Sequence, residues 1–503
     1  MKIRTMLGLS VAAPALAVAS AAQAQQAYDQ FSSHWYTDAQ SRIAEIASRP
    51  VNVNQARNVI LFLADGFGVS TIMAARVLQG QLRGESGEEN YLFLETFPHS
   101  ALVKTYNTDA QIPDSAGTAT AFLTGAKTYS GSIGIAETGR LGDCAASQGA
   151  ELLSIVDLAE MAGMSTGVIS TARITHATPG SAYAKAAHRD WEDDDDMDPA
   201  DIAMGCKDIA SQLIDYQYGD GIEVAMGGGR SSFLPNTVAD PEDEGRTGNR
   251  RDGRDLTQEW LSKYPNSAYV WNKAGLDALD LEATDHLLAL FNRSHMQYEV
   301  DRAADVGGEP SLAEMALAAI QILDRNPNGY FLLVEGGRVD HAHHEGNAHR
   351  ALHDAVAFDE AIKAVAETVD LNETLIVVTA DHSHTFFVAG YADRGNPILG
   401  LSVEGGELAL ADDGMPYTTL GYGNGPGGLA PGATRADLTN VDTTDVDFLQ
   451  QALVPMSSET HGGEDVAVFA TGPWAHLFQT TQEQSFVFHV MAHSLNLLER
   501  AGK

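Results

Sequence analysis

The sequence predicts an α/β protein with a parallel-rich central sheet and helices on both faces. Short, uncharged runs rich in β-branched residues recur at Val59–Leu63, Thr166–Ser170, Tyr330–Val334 and Leu375–Thr379. Such runs suit strands buried on both faces. Stretches with helical spacing of apolar residues separate them, which is the rhythm of strand–helix–strand units. Three of these strands also end in Asp, Glu or His clusters. In open α/β sheets ligands bind beyond the carboxyl ends of the strands, so those clusters can converge.

The elements follow in chain order. Residues 1–24 read as a secretory signal. Lys2 and Arg4 form the charged end, Leu7 to Val18 the apolar stretch, and Ala22-Gln23-Ala24 a small-residue cleavage site. The alternative is a retained membrane anchor. No other segment approaches the length needed to span a bilayer. Export to the periplasm or the medium is the expectation. Residues 25–50 read as a polar lead-in with an N-terminal helix. The main α/β domain is expected over 51–389 and 456–503. Residues 390–455, rich in Gly, Asp and Thr, read as an inserted small subdomain of short strands and loops. Leu152, Ile155, Val156 and Ala159 have helical spacing ahead of the Thr166 strand. Leu312, Met315, Ala316, Ala319 and Ile320 mark another helix, which Asn326-Pro-Asn-Gly329 ends. Asp193 to Asp196 read as a solvated loop.

Composition narrows the function. The 503 residues carry a formal net charge of −37. So acidic a chain repels nucleic acid and anionic membranes. An anionic substrate therefore has to meet a locally positive site, which bound metal ions would supply. Cys144 and Cys206 are the two cysteines. In an exported protein a bridge between them would close a loop of about 60 residues, worth roughly 4 kcal/mol in the chain-entropy account. The alternative is two free thiols.

Asp340 and His344 stand four apart, so a helix puts both on one face, as joint ligation of one ion requires. Glu335 sits at the preceding strand end and points elsewhere, toward a second ion. Asp381-His382 and Asp65-Gly66 follow two other strands. His461 is a lone loop histidine. Of the 17 histidines, His349, His353, His384, His476 and His489 read as structural or exposed. Asp114-Ser115-Ala116 precedes an Ala-rich helix. Ser115 reads either as that helix's cap or as a nucleophile at an anion-favouring helix N-terminus, held as alkoxide by a metal. Arg189 offers a planar fork that matches two phosphoryl oxygens, or is a surface residue.

Together these segments resemble the alkaline phosphatase family, in its animal-type form. The matching stretches include Asn58 to Gly66, Asp114-Ser115-Ala116, Thr175 to Pro179, Val334 to Glu345, Thr379 to His384 and Thr460 to Phe469. They run in order through the chain. The resemblance implies a phosphomonoester hydrolase that passes through a phosphoserine at Ser115, with two zinc ions and one magnesium. One zinc would take Asp340, His344 and His461. The other would take Asp65, Asp381 and His382, with Ser115 as an exchangeable ligand. Magnesium would take Asp65, Thr178 and Glu335. Arg189 would clamp the phosphoryl group, and His176 and His341 would lie near magnesium and phosphate. The resemblance also places a disulfide on Cys144 and Cys206, a crown subdomain at 390–455 and a homodimer. Small phosphate monoesters are the implied substrates. Animal-type relatives carry a further calcium site. Here Glu242 survives, while Asn292 and Gly307 replace its other carboxylates, so no calcium is expected there. A phosphodiesterase or sulfatase would use Thr or a modified Cys where Ser115 stands. A non-catalytic metal- or phosphate-holding protein is the rival from another class.

Overall fold

A computed structural model describes residues 29–503. The expected signal, 1–24, lies outside the described residues. The chain forms two units, ending and beginning at Pro50 and Val51. The described part of the first holds helix α1 (His34–Ser48), consistent with the helix expected in the lead-in.

The second unit is built on a mixed sheet of ten strands. These are β1 (Asn58–Ala64), β2 (His99–Lys104), β3 (Ser165–Arg173), β4 (Val224–Gly228), β5 (Ser267–Val270), β6 (His286–Leu290), β7 (Tyr330–Gly336), β8 (Thr374–Ala380), β9 (Val466–Thr471) and β10 (Thr481–Glu483). Their order is β10-β2-β9-β8-β1-β7-β3-β4-β6-β5. Only β9 runs antiparallel to its neighbours. Every residue of β1, β7 and β8 is buried, so layers cover both sheet faces. That is why these strands read as unbroken apolar runs rather than alternating ones. β9 differs: its residues alternate buried and half-buried, and the sequence reading did not anticipate it.

Register positions the chemistry. Leu63 of β1 pairs with Glu335 of β7, and Ala64 pairs with Ala380 of β8. Ser170 of β3 pairs with Glu335 from the other side. Asp65, Glu335 and Asp381 thus leave adjacent strands side by side. The helices that matter are α2 (Val69–Leu82), α3 (Ser115–Thr124), α4 (Ala177–Tyr183), α5 (Leu312–Leu323), α6 (Arg338–His344) and α7 (Ala348–Ala366). The five apolar positions expected on α5 are all buried. Its entry is fixed by Ser311 and Glu314, whose side chains cap each other's backbone N–H. The turn before β7 needs Gly329: its φ is +84°, and a Cβ would lie 1.9 Å from the Arg57 carbonyl oxygen. Within 390–455, Leu420–Gly425 pairs with both Phe386–Val388 and Ala452–Pro455. Cys144 and Cys206 are bonded, with Cα atoms 6.0 Å apart.

At the amino ends of the strands lies a second acidic pair. Thr166 of β3 donates its hydroxyl to Glu160 (2.5 Å) and its N–H to Glu223 (2.6 Å). Neither carboxyl has a basic partner among the described ion pairs. Burial raises Glu160 to about 10, reinforced by the Glu223 charge, and burial raises Glu223 to about 8. Unfolded, both lose their protons near the ordinary value, about 4.3. Between there and the raised values the folded chain holds more protons, so this pair lowers stability as pH rises. Glu160→Gln should therefore raise the melting temperature at about pH 9 by a few degrees, and by less at about pH 6. Equal shifts in calorimetry at the two pH values would contradict this.

Candidate active site

Helix α6 brings Asp340 and His344 to one face, as their spacing requires. His344 Nε2 lies 3.3 Å from Asp340 Oδ1. His461 comes from the short strand His461–Gly462, which pairs antiparallel with Ser383–His384 just beyond β8. Its Nε2 lies 3.1 Å from His344 Nε2 and 3.5 Å from Asp340 Oδ1. Beside this group, His382 Nε2 is 3.3 Å from Asp65 Oδ1 and 3.2 Å from Asp381 Oδ2. The backbone turns after β8, so Asp381 and His382 face one point. Asp65 also belongs to a third cluster, with Glu335 and His176. The sequence reading put His176 near the magnesium rather than among its ligands; the fold brings it within reach of both carboxylates.

Backbone carbonyls set the imidazoles. His344 Nδ1 lies 2.6 Å from the Glu459 oxygen, His461 Nδ1 2.7 Å from that of Pro113, and His382 Nδ1 3.3 Å from that of Ser383. Carbonyls only accept, so each Nδ1 donates, and each Nε2 keeps its lone pair toward the clusters. Such outer partners orient metal-binding histidines.

Ser115 is the first residue of α3, and its hydroxyl reaches His382 Nε2 at 3.2 Å and Asp65 Oδ1 at 3.4 Å. The capping alternative fails, because Asp114 is the cap and takes the N–H groups of Ala116 and Gly117. With those donors occupied, Arg189 is the candidate for anion binding. Its Nη1 donates to Asp114 (3.2 Å) and its Nη2 to His176 Nε2 (3.0 Å), which fixes the guanidinium next to Ser115. Thr178 lies on α4, fully buried, and among the described residues its hydroxyl has no hydrogen-bond partner. His341 packs against His176, ring centroids 5.3 Å apart.

Sequence reasoning missed two residues. His384, read as structural or exposed, is buried and donates to Asp340 (2.9 Å) and Glu459 (2.5 Å). Burial opposes its charge, yet the two carboxylates hold it at about 9. A doubly donating imidazolium has no lone pair for a metal, so of the four residues gathered here Asp340, His344 and His461 are the ligand candidates. The signal was the repeated histidine in Asp381-His382-Ser383-His384. Glu459 stood unremarked beside His461. Gly66 serves the same contact: a Cβ there would lie 2.4 Å from His384 Nε2.

The charges demand cations. Burial, and then the other carboxylates, push Asp65 well above its usual range. Burial likewise raises Asp381, and lifts Glu335 to about 8. Among the described residues Asp65 Oδ2, Glu335 Oε1 and Asp381 Oδ2 are buried without hydrogen-bond partners. Orphaned buried carboxylate oxygens among imidazoles fit divalent metals. An open cleft of about 570 Å³ lies beside His344, lined also by His295, Arg338 and Ser458. A larger cleft, between Lys207 and Lys263, touches no site residue.

The profile of the family described as alkaline phosphatase matches residues 56–497. The chain is 47% identical to the tissue-nonspecific alkaline phosphatase isozyme of Homo sapiens, covering 92% of this chain and 88% of that protein. It is 46% identical to the alkaline phosphatase of Gadus morhua, over 92% and 96% of the two chains. The chain belongs to the alkaline phosphatase family. Membership makes it a metal-dependent phosphomonoester hydrolase. Its fold is that of the solved Thermus thermophilus enzyme (TM-score 0.64, 23% identity, 90% of this chain and 94% of that one). The alkaline phosphatase of the Antarctic bacterium TAB5 shares it too (TM-score 0.59, 22% identity, 88% and 99%).

Chelation should lower the melting temperature, because it leaves Asp65, Glu335 and Asp381 facing one another. Burial raises all three, and Glu335, at about 8, keeps its proton at mildly acid pH without metal and ionises, at a cost, as pH rises. The gap between metal-loaded and chelated protein should therefore widen from about pH 6 to about pH 9. A constant or shrinking gap in scanning calorimetry would contradict the reading.

Proposed function

We propose that Ser115 is the nucleophile and that two zinc ions and one magnesium occupy the clusters around it. The observation that carries this is the Ser115 hydroxyl, poised between His382 Nε2 and Asp65 Oδ1 at 3.2 and 3.4 Å. Asp340, His344 and His461 would hold one zinc; Asp65, Asp381 and His382 the other; Asp65, Thr178 and Glu335 the magnesium. These ions would supply Lewis acidity, making the serine hydroxyl more acidic and screening a phosphate dianion from the carboxylates.

The chain's own residues do the rest. Arg189 takes two phosphoryl oxygens in its fork and turns phosphorus toward Ser115. Ser115 Oγ attacks in line and expels the alcohol, leaving a phosphoseryl enzyme. The cleft beside His344 gives the alcohol room to depart. Water then attacks phosphorus from the vacated side, breaks the Ser115–phosphorus bond and releases inorganic phosphate. His384, charged between Asp340 and Glu459, holds the Asp340 carboxylate in place. A diester offers the Arg189 fork one free oxygen fewer, which supports monoester preference.

Three further readings belong here. Arg230 (2.8 Å) and the Gly307 N–H (3.0 Å) take the two oxygens of Glu242, which supports the absence of calcium at that position. The strand Ala452–Pro455 exposes Leu453 at 81% and Val454 at 48%, which supports a homodimer with the 390–455 insertion near its interface. The signal read at 1–24 supports export, and no helix among the described residues is long and apolar enough to cross a membrane.

Ser115→Ala should abolish the acid-stable phosphoenzyme and nearly all hydrolysis of a chromogenic phosphate monoester, without loss of zinc. Labelled phosphate still trapped on the variant would sink the assignment. Arg189→Ala should lower kcat/KM for monoesters by about 10²-fold and leave slow diester hydrolysis far less affected. An equal loss for both ester classes would remove its proposed role in selectivity.

A further inference from the structure

Helix α7 carries two histidines that the active site does not use. His349 and His353 stand four residues apart, so they occupy one helix face, one turn apart. Their rings stack, with centroids 4.3 Å apart and planes 13° from parallel. His349 Nδ1 lies 2.9 Å from the Thr444 carbonyl oxygen, and His353 Nδ1 lies 2.8 Å from that of His349. Both Nδ1 atoms must therefore donate, which makes Nε2 the nitrogen left to offer a lone pair to a ligand. Among the described residues neither Nε2 has a hydrogen-bond partner, and both side chains are partly exposed. Two imidazoles one helical turn apart, each tied through Nδ1 to a carbonyl, can close on one ion by a small turn of the rings from parallel toward a common point.

We propose that His349 and His353 bind a late transition-metal ion on the protein surface, separate from the clusters at the strand ends. Neutral imidazole nitrogens suit Cu²⁺, Ni²⁺ and Zn²⁺, whereas Mg²⁺ and Ca²⁺ want oxygen. Histidines at this helical spacing are a known way to hold zinc. The Nδ1 contacts orient the rings as outer partners orient other metal-bound histidines. The nearby charges are mixed. Asp445, which follows Thr444, favours positive charge at His349, while Arg350 opposes it. The Asp445 carboxylate is the candidate for a third donor. Because Thr444 belongs to the 390–455 insertion, the ion would also stiffen the contact between α7 and that segment.

The test uses untagged, full-length protein with its active-site metals loaded and its phosphatase activity monitored throughout. Titration with Ni²⁺ by calorimetry should show one additional ion bound, and Cu²⁺ should bind more tightly than Ni²⁺, and Ni²⁺ more tightly than Zn²⁺. His353→Gln and, separately, His349→Lys should each weaken that binding by about tenfold or more, with ester hydrolysis unchanged. Failure of the wild-type protein to take up an additional ion would overturn the proposal. So would undiminished Ni²⁺ binding in both active, folded variants. Loss of ester hydrolysis on chelation with this site intact would bear on the active-site reading alone.

Discussion

Three buried carboxylates side by side govern this molecule. Asp65, Glu335 and Asp381 leave neighbouring strands in register, within a region closed to water. Burial raises the affinity of all three for protons, and each keeps an oxygen without a hydrogen-bond partner among the described residues. Stability alone would not gather such a group, since leaving a buried charge unpaired costs several kcal/mol. Divalent cations would resolve the conflict, and in the proposed mechanism the same cations give a neutral hydroxyl the reactivity it lacks. Structure and chemistry thus share one cause.

Around that core the fold mostly removes freedom. His344 and His461 are each oriented by a backbone carbonyl from another segment, and His382 by that of its neighbour Ser383. Asp114 consumes the first N–H groups of α3, which presents Ser115 inward and anchors Arg189 beside it. His384 links Asp340 to Glu459, and Gly66 leaves room for that imidazole. The loop after the 390–455 stretch supplies Glu459 and His461, so segments more than a hundred residues apart in the chain complete one centre.

Much of this was legible in the sequence. The strands β1, β3, β7 and β8 announced themselves because burial on both faces selects unbroken apolar runs. Asp340 and His344 announced themselves because a four-residue step is a helical turn. The assignment of distant ligands to particular ions was not in the spacing; it came from family resemblance, since convergence depends on strand register. Three features stayed hidden. β9 has one half-exposed face and an antiparallel course. Asp114 outcompeted Ser115 as the cap, a choice that backbone geometry makes rather than residue type. His384 and Glu459 looked ordinary until the pairing of His461 with His384 brought their segments together.

The central claim is that metal ions sit where these carboxylates and imidazoles meet. Anomalous diffraction from a crystal, recorded on both sides of the zinc absorption edge, tests it most directly. The account predicts two zinc peaks, one enclosed by Asp340, His344 and His461, the other by Asp65, Asp381 and His382, within reach of Ser115. A fully active crystal with no zinc signal at those two positions would contradict it.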